Sequence, residues 1–178
     1  METDLSKVFI RVECTEDHEN VNILMDEAFL ASGHHDGTEL SYIINQRKKP
    51  SFVHELSLVA TVNNKIVGQI MMTEMDCEGL NGSGNFLVIS PLTVSPGCFR
   101  QGIGTKLLKE SLKRARKLGY TAVFLCGLPK YYSRFGFVPT YKYDITHLKD
   151  TDGSAGWCLV KELKKNCLSR IKGQIDIE

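Results

Sequence analysis

The residues best suited to chemistry lie in one short loop. Arg100-Gln101-Gly102-Ile103-Gly104-Thr105 runs straight into Leu107, Leu108, Leu112, Ala115 and Leu118, which together with Ile103 trace one face of a helix. A helix N-terminus presents unpaired backbone N–H groups and a partial positive charge, and glycines at 102 and 104 let an anion come close to that backbone. A phosphate or pyrophosphate suits such a cradle. Two familiar phosphate loops do not match the spacing. A dinucleotide fingerprint needs a third glycine where Leu107 stands, and a P-loop needs Gly-Lys-Ser/Thr where the chain reads Gly104-Thr105-Lys106. On the two glycines alone, an ordinary strand-to-helix turn is the competing reading. His34-His35-Asp36 has the residue types of a metal site, but adjacent histidines in a loop diverge and no second ligand pair is near, so no metal is expected.

The elements that must position this loop are marked on both sides. Phe86-Leu87-Val88-Ile89-Ser90-Pro91-Leu92-Thr93-Val94 is too uninterrupted and too rich in branched side chains for a half-exposed strand, which predicts a central strand covered on both faces. Pro91 cannot donate a ladder hydrogen bond. The strand must bulge there or lose a neighbour beyond it, leaving free backbone at Leu92, Thr93 and Val94. After the loop, Lys106, Lys109, Lys113, Arg114, Arg116 and Lys117 fill the outer helix face, and Gly119 stands where a left-handed cap is expected. That basic face reads as a solvated helix surface.

A chain of 178 residues can bury a sizeable core as one domain. A net charge of +1 gives no electrostatic ground for nucleic acid as a partner, and no apolar run is long enough for a membrane. Six cysteines without a C-x-x-C pair, and no apolar signal segment, predict reduced thiols in the cytoplasm. Val8–Val12 reads as a first strand. Thr15, Glu16 and Asp17 then start a helix that buries Val21, Leu24, Met25, Ala28 and Phe29. A second short helix, capped by Thr38, buries Leu40, Ile43 and Ile44. Leu56–Val62, the turn Asn63-Asn64-Lys65 and Ile66–Glu74 make a hairpin. Ala122–Cys126 is a short buried strand, Pro129 starts a short helix and Gly136 ends it. Phe137–Tyr143 and Trp157–Leu163 read as antiparallel strands around a polar loop at 144–156, with one more strand at Gln174–Ile177. This order predicts an α/β (α+β mixed) fold, a mixed sheet with helices on both faces.

Val94-Ser95-Pro96 followed by Arg100-Gln101-Gly102-Ile103-Gly104-Thr105-Lys106-Leu107-Leu108 resembles the acetyl-CoA loop of the GNAT acyltransferase superfamily, whose pattern is Arg/Gln-x-x-Gly-x-Gly/Ala. Phe99 stands where that pattern has Arg or Gln, so the contact usually made there falls to Arg100 or Gln101. Tyr131-Tyr132-Ser133-Arg134-Phe135-Gly136-Phe137 is similar to the Tyr-x-x-x-Gly-Phe segment that closes the family's active site. Ile10-Arg11-Val12, leading into a helix that ends Asp26-Glu27-Ala28-Phe29, resembles its start. The likeness runs over roughly residues 8 to 165 and is greatest to the YhbS-type branch. It implies a single N-acetyltransferase-like domain over 1–178, with a core at about 8–165 and a tail at 166–178. It also implies a central, mostly antiparallel twisted sheet of roughly six to seven strands flanked by about four helices. Strands four and five would be parallel and splayed, with acetyl-CoA in the gap. The free backbone at Leu92, Thr93 and Val94 would pair with the pantetheine amides, and Arg100, Gln101, Gly102, Ile103, Gly104 and Thr105 would hold the pyrophosphate.

By the same resemblance, the activity is transfer of an acetyl group from acetyl-CoA to a primary amine, on a small molecule or a protein or peptide, by direct attack through a tetrahedral intermediate. A thiol has a pKa of about 8.5 and a phenol about 10, so a tyrosine stays protonated at neutral pH and can donate to the leaving thiolate. Family spacing makes that tyrosine Tyr132, four residues before Gly136, with Tyr131 one residue too early. A backbone N–H near Leu92–Val94 suits the oxyanion. Glu74 is the candidate base, acting directly or through water. Asp36, Asp150 and Asp152, on the loops 30–37 and 144–156, would draw in a cationic amine. Transfer of another acyl group is one alternative. A non-catalytic CoA-binding or interaction domain is the other, favoured by Phe99 and opposed by Tyr132. Relatives commonly dimerise, which implies a homodimer, although no stretch here locates an interface.

Overall fold

The computed structural model describes residues 5–33 and 39–177, without the side chains of Leu5 and Glu39. His34, His35, Asp36 and the expected cap Thr38 lie outside the described residues. Asn63 and Asn64 take left-handed φ values of 48° and 63°, the pair a two-residue hairpin turn needs and that asparagine tolerates. They join β2 (Leu58–Val62) to β3 (Lys65–Glu74), and β1 (Phe9–Val12) pairs antiparallel with β2. Between β1 and β2 run α1 (His18–Ser32) and α2 (Glu39–Gln46). After β3 come β4 (Phe86–Val94), α3 (Ile103–Lys117), β5 (Ala122–Cys126) and a one-turn α4 (Pro129–Tyr132). The chain closes with β6 (Val138–Pro139), β7 (Ile145–His147), β8 (Cys158–Glu162) and β9 (Gly173–Ile175).

Seven strands form one sheet in the order β1-β2-β3-β4-β5-β8-β6, and β7 pairs with β9 in a second, parallel ladder. β4 and β5 are parallel, with register Phe86↔Ala122 to Val88↔Phe124, after which β4 continues to Val94 and β5 to Cys126. β8 pairs antiparallel with β5 and with β6. Met75 N–H donates to Phe86 C=O, whereas Ser95 N–H donates to Val67 C=O, so the β3–β4 register differs by one residue between its two ends. β4 thus carries an extra residue, the bulge expected from Pro91.

The residues fall into two compact units, Met1–Thr73 with Pro91–Arg114, and Glu74–Ser90 with Ala115–Glu178. In the first, α1 and α2 bury Val21, Met25 and Ile43 against Val59 and Met71 of the sheet. Phe29, Leu40 and Ile44 pack at the margin of that cluster. This unit also holds a buried ion pair. Arg47, just beyond α2, donates to the Glu13 carboxylate at 2.5 Å, and the Ser57 hydroxyl donates to the other oxygen.

In the second unit Phe86, Val88, Phe124 and Val160 form the core beside Ile145, Leu168 and Ile175. The C-terminal tail is part of that core: β9 runs alongside β7, and a Cβ on Gly79 would stand 2.1 Å from the Gln174 carbonyl oxygen. The loop expected at 144–156 therefore contains a strand, and the last strand starts one residue earlier than the periodicity predicts. The strand expected over Phe137–Tyr143 shrinks to Val138–Pro139, because the chain turns into a 3-10 helix at Thr140–Tyr143 and reverses at Asp144 with φ 55°. Leu118, expected on the buried face of α3, is 47% exposed just beyond the helix end.

Arg47→Ala leaves a carboxylate buried without its cation, and it should destabilise the fold by about 3–5 kcal/mol in urea unfolding. Replacing Glu13, Arg47 and Ser57 together by Leu, Met and Ala should recover most of that loss, because an apolar trio leaves no charge unpaired.

Candidate active site

α3 reaches the sheet because β3 offers a glycine. A Cβ on Gly68 would stand 3.0 Å from Ile103 Cγ2, 3.0 Å from Leu107 Cδ1 and 3.2 Å from the Thr93 carbonyl oxygen, so the first two turns of α3 lie directly on that backbone. Ile103 and Leu107 are 1% and 0% exposed. Upstream, Pro96–Cys98 makes a 3-10 turn, and Arg100 (φ 61°) and Gly102 (φ 84°) reverse the chain. The Gly102 carbonyl accepts the Lys106 N–H at 3.0 Å, the first bond of the helix. The helix's opening N–H groups have no intrahelical acceptor by construction. These features fit an anionic group. Gln101 Nε2 donates to the Gly97 carbonyl at 3.0 Å, so that side chain braces the loop from within. Arg100 and Phe99 are exposed.

Two polar side chains that the sequence did not single out as a pair lie in the same unit. Gln69 is 0% exposed with neither amide atom partnered, and the Thr93 hydroxyl likewise lacks a partner among the described residues. The Val67–Ser95 bond sets them opposite one another on β3 and β4. Only the register reveals that pairing. Beside Ser95, an open groove of about 340 Å³ is lined by Asp17, Asn20, Leu24, Glu27 and Lys65. Arg11 donates to both Asp17 oxygens and holds that carboxyl well below the usual carboxylate range.

The second unit positions the tyrosines. β5 ends at Cys126, Gly127 turns the chain, and Pro129 starts α4, which carries Tyr131 and Tyr132. Gly127 has no room for a side chain, since a Cβ would stand 2.7 Å from Tyr132 Cε2. Tyr132 also packs edge-on against Phe137 at 5.7 Å between ring centroids. Burial, with a smaller effect from Tyr131, raises the Tyr132 pKa above that of a free phenol, and its hydroxyl has no hydrogen-bond partner among the described residues. Tyr131 instead lies under the Arg134 guanidinium, 4.3 Å from the ring centroid. Gly136, at φ 82°, ends the segment beside Lys161 Nζ, whose pKa is lowered by burial and then by Arg116.

Glu74 is not brought to Tyr132. Its carboxylate accepts the Tyr120 hydroxyl at 2.9 Å, next to where β4 and β5 begin. Tyr132 follows the other end of β5, and five strand residues span about 16 Å. The loop acids are also engaged. Asp150 accepts the N–H groups of Gly153 and Ala155, and Asp152 accepts both the N–H and the hydroxyl of Ser154.

Residues 10–140 match the acetyltransferase (GNAT) domain family, and the chain belongs to that family. It is 34% identical over 84 residues to YjhQ, an uncharacterized N-acetyltransferase of Escherichia coli K12; the match covers 47% of this chain and 46% of the relative, about half of each. YhbS, another uncharacterized N-acetyltransferase of that strain, is 27% identical over 139 residues, 78% of each chain. The crystal structure of YhbS from Escherichia coli in complex with CoA has the same fold, with a TM-score of 0.84 at 23% identity over 100% of this chain and 94% of that one. A GNAT family acetyltransferase from Brucella melitensis in complex with acetyl-CoA gives 0.64 at 26% identity, over 73% and 82%.

Gly68→Val should push α3 off the sheet and cost about 1–3 kcal/mol in thermal or urea unfolding. Gly97→Ala, where a Cβ meets nothing within 4 Å, should leave stability unchanged and serves as the control.

Proposed function

We propose that this protein is an N-acetyltransferase that moves an acetyl group from acetyl-CoA to a primary amine of a small molecule or a protein. The observation that carries the reading is the turn at Arg100–Gly102 opening onto the N-terminus of α3, in a chain of the GNAT family. The family match runs through residues of both compact units, which supports reading the chain as one domain.

The backbone of Gly102, Ile103, Gly104 and Thr105 would receive the pyrophosphate of acetyl-CoA, with Arg100 as the nearby cation. Gln101 would shape the loop, given its bond to Gly97. Leu92, Thr93 and Val94 follow the bulge in β4 and would offer main-chain groups to the pantetheine amides. Acetyl-CoA supplies an acyl group activated as a thioester. Tyr132 would give its proton to the departing thiolate; a phenol is protonated at neutral pH, and burial keeps it so to higher pH. Glu74 is left out of the catalytic set because the Tyr120 hydroxyl engages it at the far end of β5. Asp150 and Asp152 hold their own loop in shape, so the acceptor is not assigned from their charge. All six cysteines are free thiols, which supports a reducing compartment such as the cytoplasm; among the described residues no helix is long and apolar enough to cross a membrane.

Phe99 supports a second reading, a CoA-binding domain without transferase activity, because an exposed aromatic ring stands where the family pattern has Arg or Gln. Thermal unfolding separates the two. Acetyl-CoA at 100 times its dissociation constant should stabilise the fold by about 2.7 kcal/mol, with ATP and NAD giving no such shift. No shift with millimolar acetyl-CoA or CoA would reject both readings, and a shift without acyl transfer to any amine or peptide would leave the second.

In Tyr132→Phe, turnover should fall about 100-fold or more while the acetyl-CoA shift is retained. The sign of the pH effect follows from the raised pKa. Tyr132 must be protonated to act and ionises only above the usual phenol value, so its ionisation should cause no loss of turnover up to about pH 10.

A further inference from the structure

Cys126 and Cys158 stand directly opposite one another at the end of the β5–β8 ladder. The type of pair follows from its neighbours. Gly127 N–H donates to Trp157 C=O at 2.8 Å, and Leu163 N–H donates to Thr121 C=O at 2.7 Å, so the hydrogen-bonded positions fall on the odd residues of β5. Cys126 and Cys158 therefore form a non-hydrogen-bonded pair. Such pairs place their Cα atoms about 4.5 Å apart with side chains on one face, within the span a disulfide needs. Both sulfurs lie on the face that packs against Ile175 and Ile177. Burial and the neighbouring thiol raise the Cys126 pKa, and the same neighbour lowers that of Cys158. Cys158 is 0% exposed, while Cys126 is only partly buried and its sulfur also points at the Ile177 carbonyl.

We propose that Cys126 and Cys158 are an oxidisable dithiol, a modification site at which hydrogen peroxide converts two thiols to one disulfide. Oxygen transfer from the peroxide to the Cys126 sulfur, the accessible one, gives a sulfenic acid and one water. The Cys158 sulfur attacks that sulfur and forms the S–S bond. The sulfenic hydroxyl leaves with the Cys158 proton as a second water. Two thiols lose two protons and two electrons, and the peroxide is reduced to two waters. The bridge closes directly before Gly127, the residue on which the Tyr132 ring rests, so the oxidised form ties the root of the tyrosine segment to β8. This proposal stands independently of the transferase reading, since it concerns the thiols alone.

The test uses the whole reduced protein, freed of reductant, treated with hydrogen peroxide under native conditions, alkylated and mapped without reduction. The expected result is a loss of about 2 Da and a linked peptide pair containing Cys126 and Cys158, both reversed by dithiothreitol. Cys126→Ser, at the partly exposed position, should abolish the linkage, as should Cys158→Ala; if the buried substitution prevents folding, the first variant alone decides. Oxygen added at Cys126 without a link would overturn the proposal. So would a bridge through Cys77 or Cys167, or a native protein whose Cys126 and Cys158 both stay alkylatable.

Discussion

The absence of a side chain at Gly68 is the constraint on which the candidate cofactor loop depends. Ile103 and Leu107 occupy the space a Cβ would need, so the opening turns of α3 are held against the strand backbone. A helix seated that closely has a fixed N-terminus, and a fixed N-terminus keeps its N–H groups aimed at one place. The bulge in β4 and the reversals at Arg100 and Gly102 deliver the chain to that seat. Packing thus comes before charge here: the anion binding proposed for the loop would be a property of backbone that apolar contacts have immobilised.

Polar groups in the same unit are treated in two ways. Glu13, Arg47 and Ser57 pair with one another out of water, joining the ends of β1 and α2 to the start of β2, with Arg47 Nε left without a partner among the described residues. Gln69 and Thr93 face each other with no side-chain partner among the described residues. Burial without partners costs free energy, roughly 1–3 kcal/mol per group on mutational scales. The two arrangements differ in consequence. The first penalises removal of any one member, whereas the second would gain from any small rotation that lets the hydroxyl and the amide meet across the strands.

Much of this architecture was legible because its signals are local. The Asn63-Asn64 turn, the apolar stripe from Ile103 to Ala115 and the β5 strand at Ala122–Cys126 each follow from turn chemistry or periodicity and stand where those predict. Pro91 announced the bulge because a missing N–H has only a few structural remedies. What failed depended on distant partners. The β7–β9 ladder joins residues about thirty apart, and neither short strand has a periodicity of its own. Glu74 looked available because nothing in a strand end reveals that Tyr120 will donate to it. The opposition of Gln69 to Thr93, and of Cys126 to Cys158, exists only once register is set. The acids of the 144–156 loop looked like free charge, but a loop rich in Asp, Gly and Ser consumes its carboxylates in its own turns.

The two ends of β5 hold phenols in different surroundings. At its start the Tyr120 hydroxyl donates to Glu74, which ties that phenol to the end of β3. At its end Gly127 lets Tyr132 lie against the backbone, half-buried beside the rings of Tyr131 and Phe137. Drying a phenol raises its pKa, which keeps the proton in place but also makes it harder to give up. The rise moves the phenol further above a thiol's value of about 8.5, so proton transfer to a thiolate would rest on positioning rather than on acidity. If Tyr132 is the acid of the proposed transfer, it would act late on the reaction coordinate, and the amine's proton would be removed elsewhere in the molecule or by water.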